Sequence, residues 1–256
     1  MCDTHFGSRG GPCPPEWPNP DGSSYVPNDG QSTLYTYLQD YLEYARATCD
    51  TFLLVGDICQ GNNRKEFGRM LTAPELESQV DMAIATLRPY TRGKRVYGVS
   101  GSRYHNSLEM SLDRMVIEQL GGEFYGVEAI VHLQGADKVM YTAHKMGGGL
   151  LYAAGGLDKV SIWMDVAEAQ GSMPHIDLVV CAHYHFYVEV RTKCRVLVQA
   201  PCWQARTPWE VLSINPGKTQ PMIGGIIIEV TPIGISMEHR TYDLPHIYDR
   251  LVMEGL

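Results

Sequence analysis

Asp177-Leu178-Val179-Val180-Cys181-Ala182-His183-Tyr184-His185 is the stretch whose reading decides the fold. Its apolar run is the pattern of a buried strand, and the end of such a strand is where a loop aims side chains into a cleft. One residue separates the two histidines. In extended chain they point to the same side, so both imidazoles can reach one metal or two neighbouring metals. Three other polar breaks accompany apolar runs: Asp3-Thr4-His5, Gly56-Asp57 and Tyr141-Thr142-Ala143-His144. Together the four define a candidate two-metal cage.

Outward from that stretch, the first half alternates strands and helices. Leu34, Leu38, Leu42 and Ala45 recur at helical spacing within Ser32 to Thr48, with Ser32 available as the cap. Thr51–Val55 reads as a strand ending in Gly56-Asp57. Pro74 opens a second helix with Leu76, Val80, Ile84 and Leu87 on one side. Arg95–Ser100 is the next strand, followed by Gly101-Ser102-Arg103-Tyr104-His105-Asn106. A third helix carries Leu108, Leu112, Met115 and Val116 inward and stops at Gly121-Gly122. This order predicts a βαβ-type core with parallel strands. The proline-rich residues 12–30 are expected to be irregular.

The second half is richer in strands. Glu128–Leu133 and Lys138–Ala143 form a hairpin around Gly135, and a helix runs from Leu157 to Ala169. Strands follow at Asp177–Ala182, Tyr187–Val190, Cys194–Ala200, Ile223–Val230 and Ile235–Tyr242. The tally predicts an α/β protein, a two-sheet sandwich of mixed strands flanked by helices. With 256 residues, no internal repeat and no long linker, residues 1–256 are expected to form one domain.

Composition limits the function classes. No apolar run approaches bilayer length and no apolar signal region opens the chain, so no membrane span is expected. A net charge of −8 weighs against a large phosphate-tracking surface while leaving room for a local basic patch. The seven cysteines are odd in number and lack close pairs. Buried reduced thiols in a reducing, cytoplasmic compartment are therefore expected, not a disulfide frame.

Asp3, His5, Asp57, His144, His183 and His185 combine hard oxygen with borderline nitrogen donors. That set suits Mn²⁺, Fe, Zn²⁺ or Ni²⁺ better than Ca²⁺ or Mg²⁺ alone, and its lack of thiolates argues against a structural zinc. Two metals about 3.5–4 Å apart need a bridging carboxylate and can hold a bridging hydroxide as nucleophile. A histidine beside them, such as His105, could protonate the leaving oxygen. Asn62, Asn63 and Arg64 follow Asp57 closely enough to touch substrate, or else form a polar turn. The Gly147–Gly149 run reads as a turn. Trp203 and Trp209 are expected to pack or line the cleft rim. His132, His175, His239 and His246 fall outside the pattern.

Asp-x-His, Gly-Asp, a glycine turn with His, a single His and then His-x-His, in that order, resembles the calcineurin-like metallophosphoesterases. The resemblance spans Asp3 to about Pro208. Asp3-Thr-His-Phe-Gly-Ser, His144-Lys-Met-Gly-Gly-Gly and Ala200-Pro-Cys-Trp-Gln-Ala-Arg-Thr-Pro are similar to a little-characterised branch often carried by bacterial viruses. The resemblance implies a four-layer α/β/β/α fold and two divalent metal ions. Asp3, His5 and His185 would hold the first, His144 and His183 the second, and Asp57 would bridge them. Ser102 stands where the family has an asparagine ligand, and His105 comes two residues later than the family's histidine. Ser102, Asn106 or water would then complete the second metal, with His105 as general acid and Arg103 as phosphate clamp. The family's first strand would be cut short here, since only Met1 and Cys2 precede Asp3.

The activity implied is hydrolysis of a phosphodiester or phosphomonoester. The resemblance does not choose the substrate; the virus-borne branch leans it toward a phosphodiester such as nucleic acid or a nucleotide, and the acidic net charge counts against that lean. The alternative is a non-catalytic scaffold that keeps the fold and binds a protein. Amidohydrolase-like and arginase-like enzymes rank third, because their Asp and His spacings do not occur in this chain.

Overall fold

The computed structural model describes residues 1–19, 21–62, 64, 67–106, 111–147, 153–207 and 221–244. Within the proline-rich segment, two short strands pair antiparallel: β1 (Trp17–Pro18) and β2 (Ser24–Tyr25). Helix α1 (Asp29–Thr48) begins three residues before the expected Ser32. Its cap is Asn28, whose side chain accepts from the Gln31 backbone at 2.9 Å while the Gln31 side chain accepts from the Asn28 N–H. This reciprocal pair satisfies two donors that the helix itself leaves open, which a serine at position 32 would not do.

Strand β3 (Thr51–Val55), helix α2 (Leu76–Thr91), strand β4 (Arg95–Val99), helix α3 (Leu112–Gln119) and the two-residue β5 (Glu123–Phe124) follow. Leu108, expected on the third helix, lies outside the described residues. Strands β3, β4 and β5 are parallel and in that order. Residues 1–6 run along the free side of β3. Val55 N–H donates to Met1 O, Asp3 N–H to Gly56 O, His5 N–H to Asp57 O and Phe6 N–H to Ile58 O. On the other side Trp203 N–H donates to Asp3 O at 2.9 Å. The segment therefore occupies the place of a strand. Positive φ values of 48° at both Asp3 and His5 interrupt its regular ladder.

The hairpin of β6 (Glu128–Leu133) and β7 (Lys138–Ala143) precedes helix α4 (Gly155–Ala169). Then come β8 (Leu178–Cys181), β9 (Val188–Arg191) and β10 (Val196–Gln199). These strands form a second sheet in the order β6-β7-β8-β10-β9, parallel through β7, β8 and β10 and antiparallel at both outer pairs. Strands β11 (Ile223–Thr231) and β12 (Gly234–Tyr242) pair antiparallel, and Ile223 bridges to Cys202.

Side-chain alternation sets the layers. Phe52 and Leu54 of β3 and Val96 of β4 face Leu34, Leu38, Leu42, Met82, Leu87 and Ile117 of the helices. Val55 and Val99 face the opposite way, onto Met140, Leu178, Val180 and Val198 of the second sheet. Val179, Cys181 and Leu197 point outward to Leu157 and Met164 of α4. The result is the mixed, four-layer α/β/β/α sandwich expected, in which the ends of β3, β4, β7 and β8 lead to one group of polar side chains. Each fully buried Leu contributes about 1.5–3 kcal/mol by leaving water, so the three apolar layers fix the scaffold without help from the polar site.

Candidate metal centre

Four of the ligand candidates sit where a strand gives way to a turn. Asp57 ends β3 after Gly56, and Gly101 ends β4. A Cβ on Gly101 would stand 2.1 Å from Asp57 Oδ1, so only glycine lets these two strand ends close on each other. His144 follows β7, while His183 and His185 follow β8. Among eight non-glycine residues with positive φ in the described chain, five are Asp3, His5, Asp57, His183 and His185. That conformation costs an L-residue about 1–2 kcal/mol, and its concentration at one spot marks strain held by the surrounding packing.

The structure brings all six side chains together, with His105, in three groups. Asp3, His5 and His185 form the first, Asp57, His144 and His183 the second, and His5, Asp57 and His105 a third that shares a member with each, with the ligand atoms of each group within 4.8 Å of one another. In the first, Asp3 Oδ1 is 3.3 Å from His185 Nε2 and 3.7 Å from His5 Nε2. In the second, His144 Nε2 is 2.8 Å from Asp57 Oδ2 and 3.3 Å from His183 Nδ1. The groups adjoin, since His144 Nε2 also lies 3.8 Å from Asp3 Oδ1. His105 joins from the other side, its Nε2 4.0 Å from Asp57 Oδ2 and its ring 4.5 Å from that of His5.

Several of these atoms fit a cation better than they fit one another. Asp3 Oδ1 and both ring nitrogens of His5 are buried without a hydrogen-bond partner. Orphaned buried polar atoms cost about 1–3 kcal/mol each, and coordination to one cation would satisfy an oxygen and an imidazole nitrogen at the same point. Backbone acceptors orient the imidazoles: His144 Nδ1 lies 2.7 Å from Val55 O, and His105 Nδ1 lies 2.6 Å from Gln60 O. Both leave Nε2 facing the centre, as ligating histidines require.

Charge is unevenly shared. Burial opposes a charge on His144, but Asp57 and Asp3 outweigh it and push the group up to about 10. Burial and the charge of His144 lower neighbouring His183 to about 4. Burial and His105 likewise lower His5 to about 4. His185 is raised against its burial by Cys202 and Asp3. Against their own burial, Asp57 and Asp3 are held well below the usual carboxylate range by the imidazoles around them. Two carboxylates thus stay ionised in a buried site, which is the electrostatic condition for a divalent cation.

The remaining candidates fall into place around this core. Ser102 donates to Asp57 Oδ1 through its N–H at 2.7 Å and through its hydroxyl at 3.3 Å, so it orients the carboxylate. Asn106 is turned away: its amide donates to Asp113 Oδ2 at 2.7 Å and accepts from Asp113 N–H. Arg103, Asn62 and Arg64 are exposed. Asn63, Gly148, Gly149, Trp209 and His246 lie outside the described residues. Trp203 is fully buried beside Tyr41 and Tyr242, so it packs the core and does not form a cleft rim.

Sequence reasoning missed Asp113, in the first turn of α3. It is fully buried and accepts from the N–H groups of Asp57, Ile58 and Gly101 as well as from Asn106. Burial and the charge of Asp57 raise its carboxyl. The only signal was an aspartate in a helical first turn, where the helix dipole alone would favour it.

No protein-family model and no curated protein matches the sequence. Among solved structures, Vps29 of Entamoeba histolytica complexed with zinc is 10% identical, with 80% of this chain and 89% of that chain covered and a TM-score of 0.42. A novel archaeal phosphodiesterase is 11% identical over 80% of this chain and 92% of that one, also with a TM-score of 0.42. Vps29 of Chaetomium thermophilum is 9% identical over 77% and 82%, with a TM-score of 0.37. All three scores lie below 0.5, so none bears on what this site does.

Proposed function

We propose that this chain is a metal-dependent phosphoesterase with a dinuclear centre. The observation that carries the proposal is the convergence of Asp3, His5, Asp57, His144, His183 and His185, from four places in the sequence, on adjoining groups of ligand atoms. Asp3, His5 and His185 would hold one divalent cation, His144 and His183 the other, with Asp57 between them. Such cations, when bound, neutralise phosphoryl oxygens and activate water. Manganese, iron, zinc and nickel all fit the mixed donor set.

The chain's own residues supply the rest. Hydrolysis joins a water oxygen to phosphorus and breaks the phosphorus–alkoxide bond, and the departing alcohol needs a proton. His105 would give it. In support of that role, its ring is tethered at Nδ1 by Gln60 O, its Nε2 lies 4.0 Å from Asp57 Oδ2, and its side chain remains 12% exposed. Ser102 and Asp113 fix the carboxylate and the turn on which the centre depends.

A second reading keeps the fold as a protein-binding scaffold. It is favoured by one observation: with Asn106 turned to Asp113, only Asp57, His144 and His183 group around the second position among the described residues. Elemental analysis of the purified protein, with hydrolysis of bis(p-nitrophenyl) phosphate, decides between the two. The proposal expects bound metal and turnover, both reduced by about a hundredfold or more in Asp57→Asn and His183→Ala. His105→Gln should keep the metal and lose about 100-fold in kcat. A metal-free, inactive wild-type protein would leave the scaffold.

A further inference from the structure

His105 is held from behind. Its Nδ1 lies 2.6 Å from Gln60 O, and because a carbonyl only accepts, the proton between them sits on the ring. Gly61, the next residue, comes so near the His105 backbone that a Cβ there would stand 2.5 Å from His105 O. Two consecutive residues thus set both the ring and the main chain of His105.

Gln60 and Gly61 lie outside every strand and helix. Gln60 N–H donates to Phe6 O at 2.9 Å, and its side-chain oxygen accepts from Gln204 Nε2 at 2.9 Å. Gly61 is held by the side chain of Gln79, which reaches it from α2. Gln79 Oε1 accepts from Gly61 N–H at 2.8 Å, and Gln79 Nε2 donates to Gly61 O at 3.1 Å and to Ala73 O at 2.8 Å. The amide pairs with Gly61 as a neighbouring strand would. Gly7, at φ +87°, also closes on it, so tightly that a Cβ would stand 2.4 Å from Gln79 Cγ. Gln79 is fully buried, and a buried amide with its donors and acceptor engaged stiffens what it joins, here the loops that follow His5 and Asp57. Packing alone does not call for a glutamine there, since its buried neighbours on α2 include Val80, Met82, Ala83 and Leu87.

We infer that Gln79 is a positioning residue for His105: through Gly61 it fixes Gln60 O, and through that carbonyl the imidazole whose Nε2 lies 4.0 Å from Asp57 Oδ2. Gln79 belongs to none of the ligand groups, so it acts only through what it holds. The kinetic consequence rests on the phosphoesterase reading, in which His105 gives the leaving oxygen its proton. The placement of the ring does not depend on that reading.

Gln79→Met keeps the length of the side chain and removes its hydrogen bonds. In the metal-loaded protein, with bis(p-nitrophenyl) phosphate, it should lower kcat about tenfold and leave KM and bound metal within about twofold of the wild type. Added to His105→Gln, which alone costs about 100-fold, it should cost little more. Losses that simply multiply, to about 1,000-fold, would mean that Gln79 acts on something other than His105, and would overturn the inference.

Nitrogen-15 NMR of the protein with and without zinc reads the ring itself and separates this inference from the one beneath it. The wild type should show a slowly exchanging imidazole N–H that His105→Gln removes and that exchanges at least about tenfold faster in Gln79→Met. That result in a chain without turnover upholds the positioning and sinks the hydrolase. An N–H as well protected in folded Gln79→Met as in the wild type sinks the positioning and leaves the hydrolase standing. Gln79→Glu keeps the bond from Gly61 N–H and loses a donation, so it should shift kcat and exchange the same way by less, and it decides the matter if the methionine variant does not fold. If neither variant folds, Gln79 is a determinant of the fold, and the inference is overturned.

Discussion

His144 shows how much of the site's behaviour is decided by single side chains. Its Nδ1 is committed to Val55 O, so Nε2 alone meets Asp57, Asp3 and His183. The carboxylates raise the group to about 10, while His183 beside it falls to about 4. At neutral pH the pair therefore carries one proton, held on His144. For the metal-free protein the sign is that of a raised histidine: its stabilisation is fully present below the ordinary value of 6.5 and is lost as pH rises through about 10. A cation competes with that proton, because only a neutral imidazole ligates. Zinc or manganese uptake at pH 7 should accordingly release about one proton at this position, and affinity should rise with pH by about tenfold per unit. Calorimetry in two buffers of different ionisation enthalpy measures the release. Identical heats in both buffers would mean that His144 is not a ligand.

At the scale of elements, Asp113 does what no ligand does: from α3 it holds the ends of β3 and β4 against each other. Its two oxygens take up the N–H groups of Asp57, Ile58 and Gly101, which the strand ladders leave unpaired at their ends. In Asp113→Asn one oxygen is replaced by a donor that faces these donors, so at least one buried N–H loses its partner. The expected loss is about 2–4 kcal/mol of stability. Metal affinity should also fall, by about 10–100-fold, through the freed Asp57 turn. Denaturant melts and metal titration read the two effects separately, and an unchanged metal affinity would reduce Asp113 to a packing role.

The grouping of Asp3, His5, Asp57, His144, His183 and His185 was legible because these side chains stand as polar breaks beside apolar runs. Strands β3, β4, β7, β8, β10, β11 and β12 were legible by the same apolar runs. Asp113 was not, since a first-turn aspartate has an adequate local explanation. Nor was the start of α1, where the Asn28–Gln31 box outranks Ser32, nor the two-residue β5, too short to show a period. The course of residues 1–6 was hidden too: a segment held by β3 on one side and Trp203 on the other needs no apolar run of its own.

The whole molecule poses one further question, whether the fold depends on the cations. The apolar layers form without them: Val55, Val99, Leu178, Val180 and Val198 close the gap between the sheets, and the helices cover both outer faces. Against this stand five strained backbone positions, an orphaned Asp3 oxygen and an orphaned His5 ring, all in one place. The ledger differs from that of a small zinc domain, in which the metal supplies most of the folding energy. Here chelation should leave a folded protein of lower stability. A cation at a hundred times its Kd adds about 2.7 kcal/mol to the native state. In a chain of 256 residues each kcal/mol shifts Tm by about 2–4 °C, so EDTA should lower Tm by roughly 5–10 °C with the far-ultraviolet dichroism unchanged. Asp57→Asn should melt alike with and without EDTA, and His185→Ala should show a smaller difference than the wild type. A wild-type Tm indifferent to both EDTA and added zinc or manganese would show that the two groups of side chains hold no cation in solution, and collapse of the dichroism on chelation would show that the apolar layers do not suffice to fold the chain.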